Sequence, residues 1–362
     1  MKIETTAWTR SPNGPTSEEP TRNAGGMAGE FAIPPVNSRV GSGSRHGRWG
    51  VILAGGDGVR LRPLTKFISG DERPKQFCTL FDQWTLLGQT LRRAERCIPQ
   101  KQLMVSLTRN HSKWYSQEAG LYPCQRVVQP ANKGTAPPIL HSLLSLARLD
   151  EEALVAILPC DHHYADEQSF AAALECAFET AAERRDLVVL LGAQPDYPEV
   201  EYGWIELGSR LADEGSHVFR VRQFWEKPVI DVARSLLARE SVWNTFVMVG
   251  HVRAYLQMVQ AAVPDLLVML RSAHVWTGQE THIEDSLYER LTPLSFCQEI
   301  LSAVPNKLAV LRLNDVGWSD LGDPGRAVMA VRESGSNPPW IREWRLTRKR
   351  LPSPARAAAA VA

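Results

Sequence analysis

The apolar run Val51-Ile52-Leu53 passes without a break into Ala54-Gly55-Gly56-Asp57-Gly58, and fixed positive charge follows at Arg60 and Arg62. A short apolar run that ends in glycines reads as a buried strand opening into a tight turn. Three glycines in four positions let backbone N–H groups approach a bulky anion with no side chain in the way. With Arg60, Arg62 and, further on, Lys75, this turn is suited to a polyphosphate. Residue order excludes two better-known phosphate cradles. The Walker pattern needs Gly-Lys-Ser/Thr where this chain has Gly58-Val59-Arg60. The dinucleotide fingerprint needs a third small residue where Leu61 stands.

The pattern around the turn narrows the fold. Gly50–Ala54, Gln102–Thr108, Arg126–Gln129, Ala153–Leu158 and Leu187–Gly192 read as strands. Leu86–Arg96 (with an Arg-rich outer face), Ser112–Ala119, Pro137–Arg148 and Phe170–Arg184 read as helices between them. The run at Ala153–Leu158 is continuously apolar, as in a parallel sheet covered on both faces. This alternation predicts an α/β fold with a doubly wound, mostly parallel sheet. The later half is more mixed. Gly203–Leu207 and Val218–Trp225 read as paired strands inserted beside the sheet, Val229–Arg239 as a helix and Val242–Val249 as a strand. Two or three helices follow over 251–290, then a strand at Leu308–Leu313 and a helix at Asp323–Arg332. One domain is expected over 49–332. The stretch 1–48, rich in turn formers, reads as a disordered tail, and 333–362 as a second, largely disordered one.

Composition removes several functional classes. The 362 residues carry a net charge of +1, so no bulk field gathers nucleic acid or an anionic membrane. No apolar run is long enough to span a bilayer, and the N-terminus lacks the apolar segment of a secretory signal. The six cysteines form no Cys-x-x-Cys pair and read as reduced thiols of a cytoplasmic protein. His162-His163 is not a convincing zinc pair, because neighbours on a strand point to opposite faces.

Gly55–Leu64 followed by Arg73-Pro74-Lys75-Gln76-Phe77 resembles the signature of sugar-1-phosphate nucleotidylyltransferases, the mannose-1-phosphate guanylyltransferase branch above all. Further segments match in the family's order. They are Gln129–Pro137, Pro159–His163, Tyr202–Glu206, Glu226-Lys227-Pro228, Trp243–Phe246 and Gly317–Asp320. The likeness covers roughly 49 to 332. It implies the nucleotide-diphospho-sugar transferase (Rossmann-like) fold, a mixed sheet in which the inserted lobe binds sugar.

The implied reaction is attack by a sugar-1-phosphate oxygen on the α-phosphorus of a nucleoside triphosphate, giving a nucleotide-sugar and pyrophosphate. A phosphate monoester, with a second pKa near ~6, needs no dedicated base. The chain must instead neutralise and align two polyanions. The resemblance assigns Mg2+ to Asp161 and Asp320, with Asp161 just beyond a strand's carboxyl end, where ligands bind in such sheets. Asp-Leu-Gly-Asp-Pro is also good turn and capping sequence, which offers Asp320 a purely structural role. Arg60 and Lys75, with Asp161, form the implied catalytic group. Leu53, Ala54, Gly55, Gly56, Gly58, Gln129, Gly134 and Thr135 would bind the nucleotide, Thr135 also fitting a helix N-cap. Gly203, Glu226, Lys227 and Asn244 would bind the sugar phosphate.

Two departures bear on specificity. The segment 66–73 is longer than the family form, a difference expected to alter a lid over the triphosphate. Leu294–Ile300 lacks the Ser-Ile-Asp of close guanylyltransferases, so no sugar contact is assigned there. The expected substrates are GTP and mannose 1-phosphate. Another triphosphate and hexose pair, or a non-catalytic regulatory subunit that binds nucleotide-sugars, are the alternatives. No nucleic-acid or membrane partner is expected, and the oligomeric state, a homo-oligomer included, stays open.

Overall fold

A computed structural model describes residues 47–118, 125–211, 217–277, 280–283 and 285–350. Among these residues eleven strands make one sheet: β1 Arg48–Leu53, β2 Leu103–Thr108, β3 Gln125–Gln129, β4 Leu154–Pro159, β5 Val188–Ala193, β6 Gly203–Arg210, β7 Val218–Glu226, β8 Val242–His251, β9 His274–Thr277, β10 Glu280–Ile283 and β11 Leu308–Leu313. Their order across the sheet is β9-β10-β3-β2-β1-β4-β8-β5-β11-β7-β6, and β6 also pairs with β8. The block β10-β3-β2-β1-β4 is parallel throughout. β8 runs antiparallel to both of its neighbours β4 and β5, which makes the sheet mixed.

Alternate residues of the central strands enter different cores. Val51, Val155, Ile157 and Leu190 pack on one face with helices Ala136–Leu149, Val252–Ala262 and Pro264–Ala273. Ile52, Leu154, Leu158 and Leu191 pack on the other with helices Leu86–Ala94 and Glu167–Glu183. Both faces are covered, so the strands read as unbroken apolar runs. Helix Glu167–Glu183 starts where the Asp166 carboxylate accepts from the Gln168 and Ser169 N–H groups. No helix among the described residues is long and apolar enough to cross a membrane.

Four sequence expectations are corrected. The strands at 203–210 and 218–226 do not lie beside the sheet; they continue it, through β7 to β11 and β6 to β8. The Arg-rich face of helix Leu86–Ala94 is divided. Arg92 lies over Trp84, whereas Arg93 is buried, paired with Glu167 and stacked over Tyr164. The region expected to hold only helices also contains the hairpin β9-β10. Its four-residue strands are too short for periodicity to reveal.

The fourth correction concerns the tail expected from 333. Helix Trp340–Arg350 follows the helix Pro324–Glu333. Trp340 and Ile341 are buried in a third core with Leu61, Leu64, Leu80, Leu321 and Val331, and Trp340 Nε1 donates to Leu80 O at 3.0 Å. Trp344 packs on the same core, edge-on to Phe67 with ring centroids 5.1 Å apart, so three apolar residues dock an otherwise mostly basic segment. The tail expected at 1–48 falls outside the described residues except for its last two, and so does the stretch from 351 onward.

Candidate active site

The carboxyl ends of β1 and β4 open into a cavity of about 460 Å³. These strands are parallel neighbours, with Leu53 opposite Pro159, so the glycine turn and Asp161 leave the sheet side by side. Beyond Asp161, His163–Tyr164 pairs antiparallel with Trp318–Ser319. That short pairing delivers Asp320 to the cavity that Asp161 already lines. His162 lines this cavity too and accepts from Trp318 Nε1 at 3.2 Å, while His163 turns away and stacks on Phe81.

Lys75 ties the two acidic segments together. Its ammonium lies 3.2 Å from Asp161 Oδ2 and donates to the main-chain oxygens of Asp320 at 2.9 Å and Leu321 at 3.3 Å. Burial alone would raise the Asp161 pKa, but the charges of Lys75 and His162 and the Lys75 hydrogen bond hold it below the usual range. Asp320 is held from its other side. Its Oδ1 accepts from the Tyr202 hydroxyl at 2.9 Å and from Gly322 N–H at 2.9 Å, and lies 3.4 Å from Arg326 Nη1. The capping role belongs to Asp323, which accepts from the Gly325 and Arg326 N–H groups ahead of Pro324–Glu333. Asp-Leu-Gly-Asp-Pro is thus divided between its two acids: one caps and one faces the cavity.

The glycine turn is braced from behind. Gln76 Nε2 donates to Ala54 O at 2.9 Å and Gly56 O at 2.8 Å, and Ala54 N–H donates to Ser106 O at 2.8 Å. Leu53, Gly55 and Gly56 line the cavity, but Ala54 is buried with both main-chain groups committed. Its expected contact with a nucleotide is therefore corrected to a bracing role. Gly58 is off the wall as well. It takes φ +58°, and a Cβ there would sit 3.0 Å from Lys75 N, so its smallness serves the packing of the Lys75 segment.

Arg60 does not line the cavity either. Leu61 is drawn into the third core, which leaves Arg60 exposed at the mouth, 3.1 Å from Glu201 on the facing wall. The segment 66–73, expected to alter a lid over the triphosphate, lies off the cavity. It continues helix Arg62–Ser69 into a turn where Asp71 pairs with Arg73, and none of it touches the cavity.

Gln129, Gly134 and Thr135 all line the cavity. Gly134 has φ +84°, and a Cβ there would fall 2.3 Å from Leu294 O. Thr135 stands at the N-cap position of helix Ala136–Leu149, but its side chain does not cap; its hydroxyl accepts from Phe296 N–H at 2.8 Å and pins 294–296 to the loop.

Gly203, Glu226, Lys227 and Asn244 converge on the far wall. Gly203 and Glu226 are register partners, and a Cβ on Gly203 would meet Glu226 Oε2 at 3.1 Å. Asn244 sits where the β5–β8 register shifts, a bulge that re-aims its side chain. Its Oδ1 accepts from Phe246 N–H at 3.0 Å, which stabilises the left-handed Phe246 at φ +62°. Lys227 is also left-handed, at φ +46°. Such conformations store about 1–3 kcal/mol each and persist where surrounding structure imposes them. Burial raises the Glu226 carboxyl above its ordinary pKa, against the pull of Lys227.

The wall also holds residues that sequence reasoning missed. Cys297 lies 3.5 Å from Asn244 Nδ2, within the segment that departs from the family form. Glu201, Tyr202 and Trp318 complete the mouth.

The family model for nucleotidyl transferase matches residues 49–333. The chain belongs to the nucleotidyl transferase family. A mannose-1-phosphate guanylyltransferase from Escherichia coli is 27% identical over 282 residues, 75% of this chain and 59% of that protein. The xanthan biosynthesis protein XanB from Xanthomonas campestris pv. campestris (strain B100) is 30% identical, over 75% of this chain and 57% of its own length. The chain therefore spans less than two thirds of these relatives. A crystal structure described as mannose-1-phosphate geranyltransferase from Thermus thermophilus superposes with a TM-score of 0.67 at 24% identity, covering 81% of this chain and 80% of that one. This last likeness speaks for the fold alone.

The nucleotidyl transferase match explains why some missed residues had a signal. Gln76 belongs to the Pro74-Lys75-Gln76-Phe77 segment, and Tyr202 and Trp318 to Tyr202–Glu206 and Gly317–Asp320. Arg326 lies outside the short motifs that carry the resemblance, and Cys297 in the segment that departs from the family form, so only the folded chain reveals their place at the site.

Proposed function

We propose that the chain joins GTP to mannose 1-phosphate, releasing pyrophosphate and forming GDP-mannose. One observation carries this reading. The strands β1, β4 and β8 lie side by side in that order and bring to one cavity the glycine turn, then Asp161 with Asp320, then Asn244 with Glu226 and Lys227. A nucleotide, a reacting phosphate and a hexose need those three chemistries in that order.

The donor set fits a magnesium ion. Asp161 and Asp320 offer hard carboxylate oxygens on one cavity. Among the described residues, no group of three or more His, Cys, Asp and Glu is placed to hold a metal unaided. Magnesium suits such a pair, because substrate phosphates and water complete its shell. When bound it would offset the charge that gathers on the phosphates. Asp161 and Asp320 would hold it.

The chain's own groups do the rest. Lys227 grips the sugar phosphate, while Glu226 and Asn244 hold hexose hydroxyls, so the phosphate oxygen lies in line with the α-phosphorus. A bond forms between that oxygen and phosphorus as the bond to pyrophosphate breaks. The leaving oxygen takes the bonding electrons. Lys75, and Arg60 swung from Glu201, balance its charge, and no proton transfer is needed at neutral pH.

Pyrophosphate release, followed with each triphosphate against each hexose 1-phosphate in magnesium, tests the reading. GTP with mannose 1-phosphate should give the highest kcat/KM. Release with no pair rules out transferase activity, and another preferred pair reassigns the substrates.

A further inference from the structure

A chain of hydrogen bonds behind the glycine turn has a polarity that only one arrangement satisfies. Gly55 O can only accept, and Thr108 Oγ1 donates to it at 2.8 Å. A hydroxyl has one hydrogen, so Thr108 must accept from its other neighbour, Gln129, 3.0 Å away. That neighbour atom must then be the amide nitrogen, Nε2. The amide oxygen is thereby turned toward Tyr288, whose hydroxyl donates to Oε1 at 2.6 Å. Thr108, Gln129 and Tyr288 are all buried. Burial also keeps the Tyr288 phenol protonated, its pKa well above the ordinary value.

Tyr288 is itself held in place. It lies on the short helix Asp285–Glu289, and Asp285 takes both terminal nitrogens of Arg109, at 2.7 and 2.8 Å. Arg109 directly follows Thr108 at the end of β2. Lys133, in the loop before Gly134, reaches Glu289 O at 3.4 Å.

We infer that Tyr288 and Thr108 are positioning residues that lock the Gln129 amide in one orientation and so set which nucleotide base the cavity accepts. The inference deepens the proposed function and rests on its reading of the cavity as a nucleoside triphosphate site. The relay uses one N–H and one lone pair of the amide. A second N–H and a second lone pair remain, and Gln129 lines the cavity beside Leu53, Gly55 and Gly134. A donor and an acceptor in fixed order match a base edge that presents an oxo group next to a ring N–H. Guanine, uracil and thymine have that edge. Adenine and cytosine present an amino group next to a bare ring nitrogen, the reverse order. They would need the amide flipped, which would set Oε1 against the Thr108 oxygen, whose one hydrogen is given to Gly55 O, and leave the Tyr288 hydroxyl hydrogen without an acceptor. Base class is therefore decided two steps behind the wall.

Equilibrium affinities for GTP, UTP, ATP and CTP, measured on the full chain and three variants, test this. The unaltered chain should bind GTP and UTP at least ~10-fold tighter than ATP and CTP, since a mismatched buried hydrogen bond costs about that much or more. Tyr288→Phe keeps the ring and removes the donor, and should shrink the GTP-to-ATP ratio by about 10-fold. Thr108→Val should do the same, and Thr108→Ser should restore the ratio. A merely structural role would weaken all four nucleotides together, and that result overturns the inference. An unchanged ratio in Tyr288→Phe, or no discrimination in the unaltered chain, overturns it and leaves the transferase reading intact. Failure to bind any of the four, with no pyrophosphate release, removes both.

Discussion

Lys75 Nζ lies 3.2 Å from Asp161 Oδ2, and through the same ammonium Asp161 is tied to the main chain at Asp320 and Leu321. The cation expected to face a triphosphate is thus also the strut that sets the spacing of the two acids. Asp161→Ala should abolish turnover, by ~10³-fold or more, because it removes a charge that acts on the reacting phosphates. Folding should survive, since Lys75 keeps two main-chain acceptors. Pyrophosphate release and thermal unfolding measured together check both halves. Chelation of divalent ions should stop the unaltered enzyme and magnesium should restore it. An active Asp161→Ala enzyme would disprove the metal assignment.

Lys227 is held at φ +46° with its N–H bonded to Tyr202 O at 3.2 Å, so its direction is fixed by the backbone. Lys227→Ala should raise the KM for sugar phosphate by about 10-fold to 100-fold, the loss of one charge-assisted contact. The KM for triphosphate should change little. Equal increases in both would contradict a place at the sugar end.

Glu226 gives the acid limb its sign. Burial raises its pKa, so its carboxylate is lost at a higher pH than that of an ordinary glutamate as the solution is acidified. For stability the direction is the opposite. A raised folded-state pKa contributes stability that is full below the unfolded value and is lost as pH rises through the folded one. Sugar-phosphate KM should therefore climb on acidification while the fold does not weaken from this group. The substrate's own phosphate also takes up a proton on acidification, so Glu226→Gln is the control. It should flatten only the part of the profile that belongs to the protein.

The limits of sequence reading follow from where each residue acts. The central sheet was legible because its strands are covered on both faces and show as unbroken apolar runs. Asp161, Gly203, Glu226 and Asn244 were legible because the family's motifs carry them, and all four reach the cavity. Ala54 and Gly58 share the most informative motif and yet serve the packing behind it. A motif records which residues travel together, not which of them face the ligand. The relay through Tyr288 was hidden for another reason: its members lie far apart in sequence, and nothing local marks Tyr288 as different from any buried tyrosine. The C-terminal helix was missed because its apolar stripe, Trp340, Ile341 and Trp344, spans little more than one turn before a charged run.

That helix carries a stability prediction. Trp340 is buried against the core that also holds Leu61 and Leu64 of the segment following the glycine turn. Trp340→Ala should cost about 3–5 kcal/mol, with the Leu80 carbonyl losing its donor as well. Denaturant unfolding measures the loss. Partial loss of triphosphate affinity should accompany it, because the turn rests on this core. A neutral result would mean that the helix contributes nothing to the fold.

Gly134 offers the sharpest steric test of how the nucleotide wall is built. The residue needs a left-handed backbone at φ +84°, which costs an alanine about 1 kcal/mol or more. A Cβ would also strike Leu294 O at 2.3 Å, and that carbonyl is backbone, fixed by a hydrogen bond from Ala136 N–H at 3.0 Å. The loop cannot yield without breaking the contacts that join 132–136 to 294–296. Gly134→Ala should therefore lower stability by ~2–4 kcal/mol and raise the triphosphate KM more than the sugar-phosphate KM. Chemical denaturation and steady-state kinetics on one preparation give both numbers. Unchanged triphosphate KM in a destabilised variant would show that this loop supports the fold without touching the nucleotide.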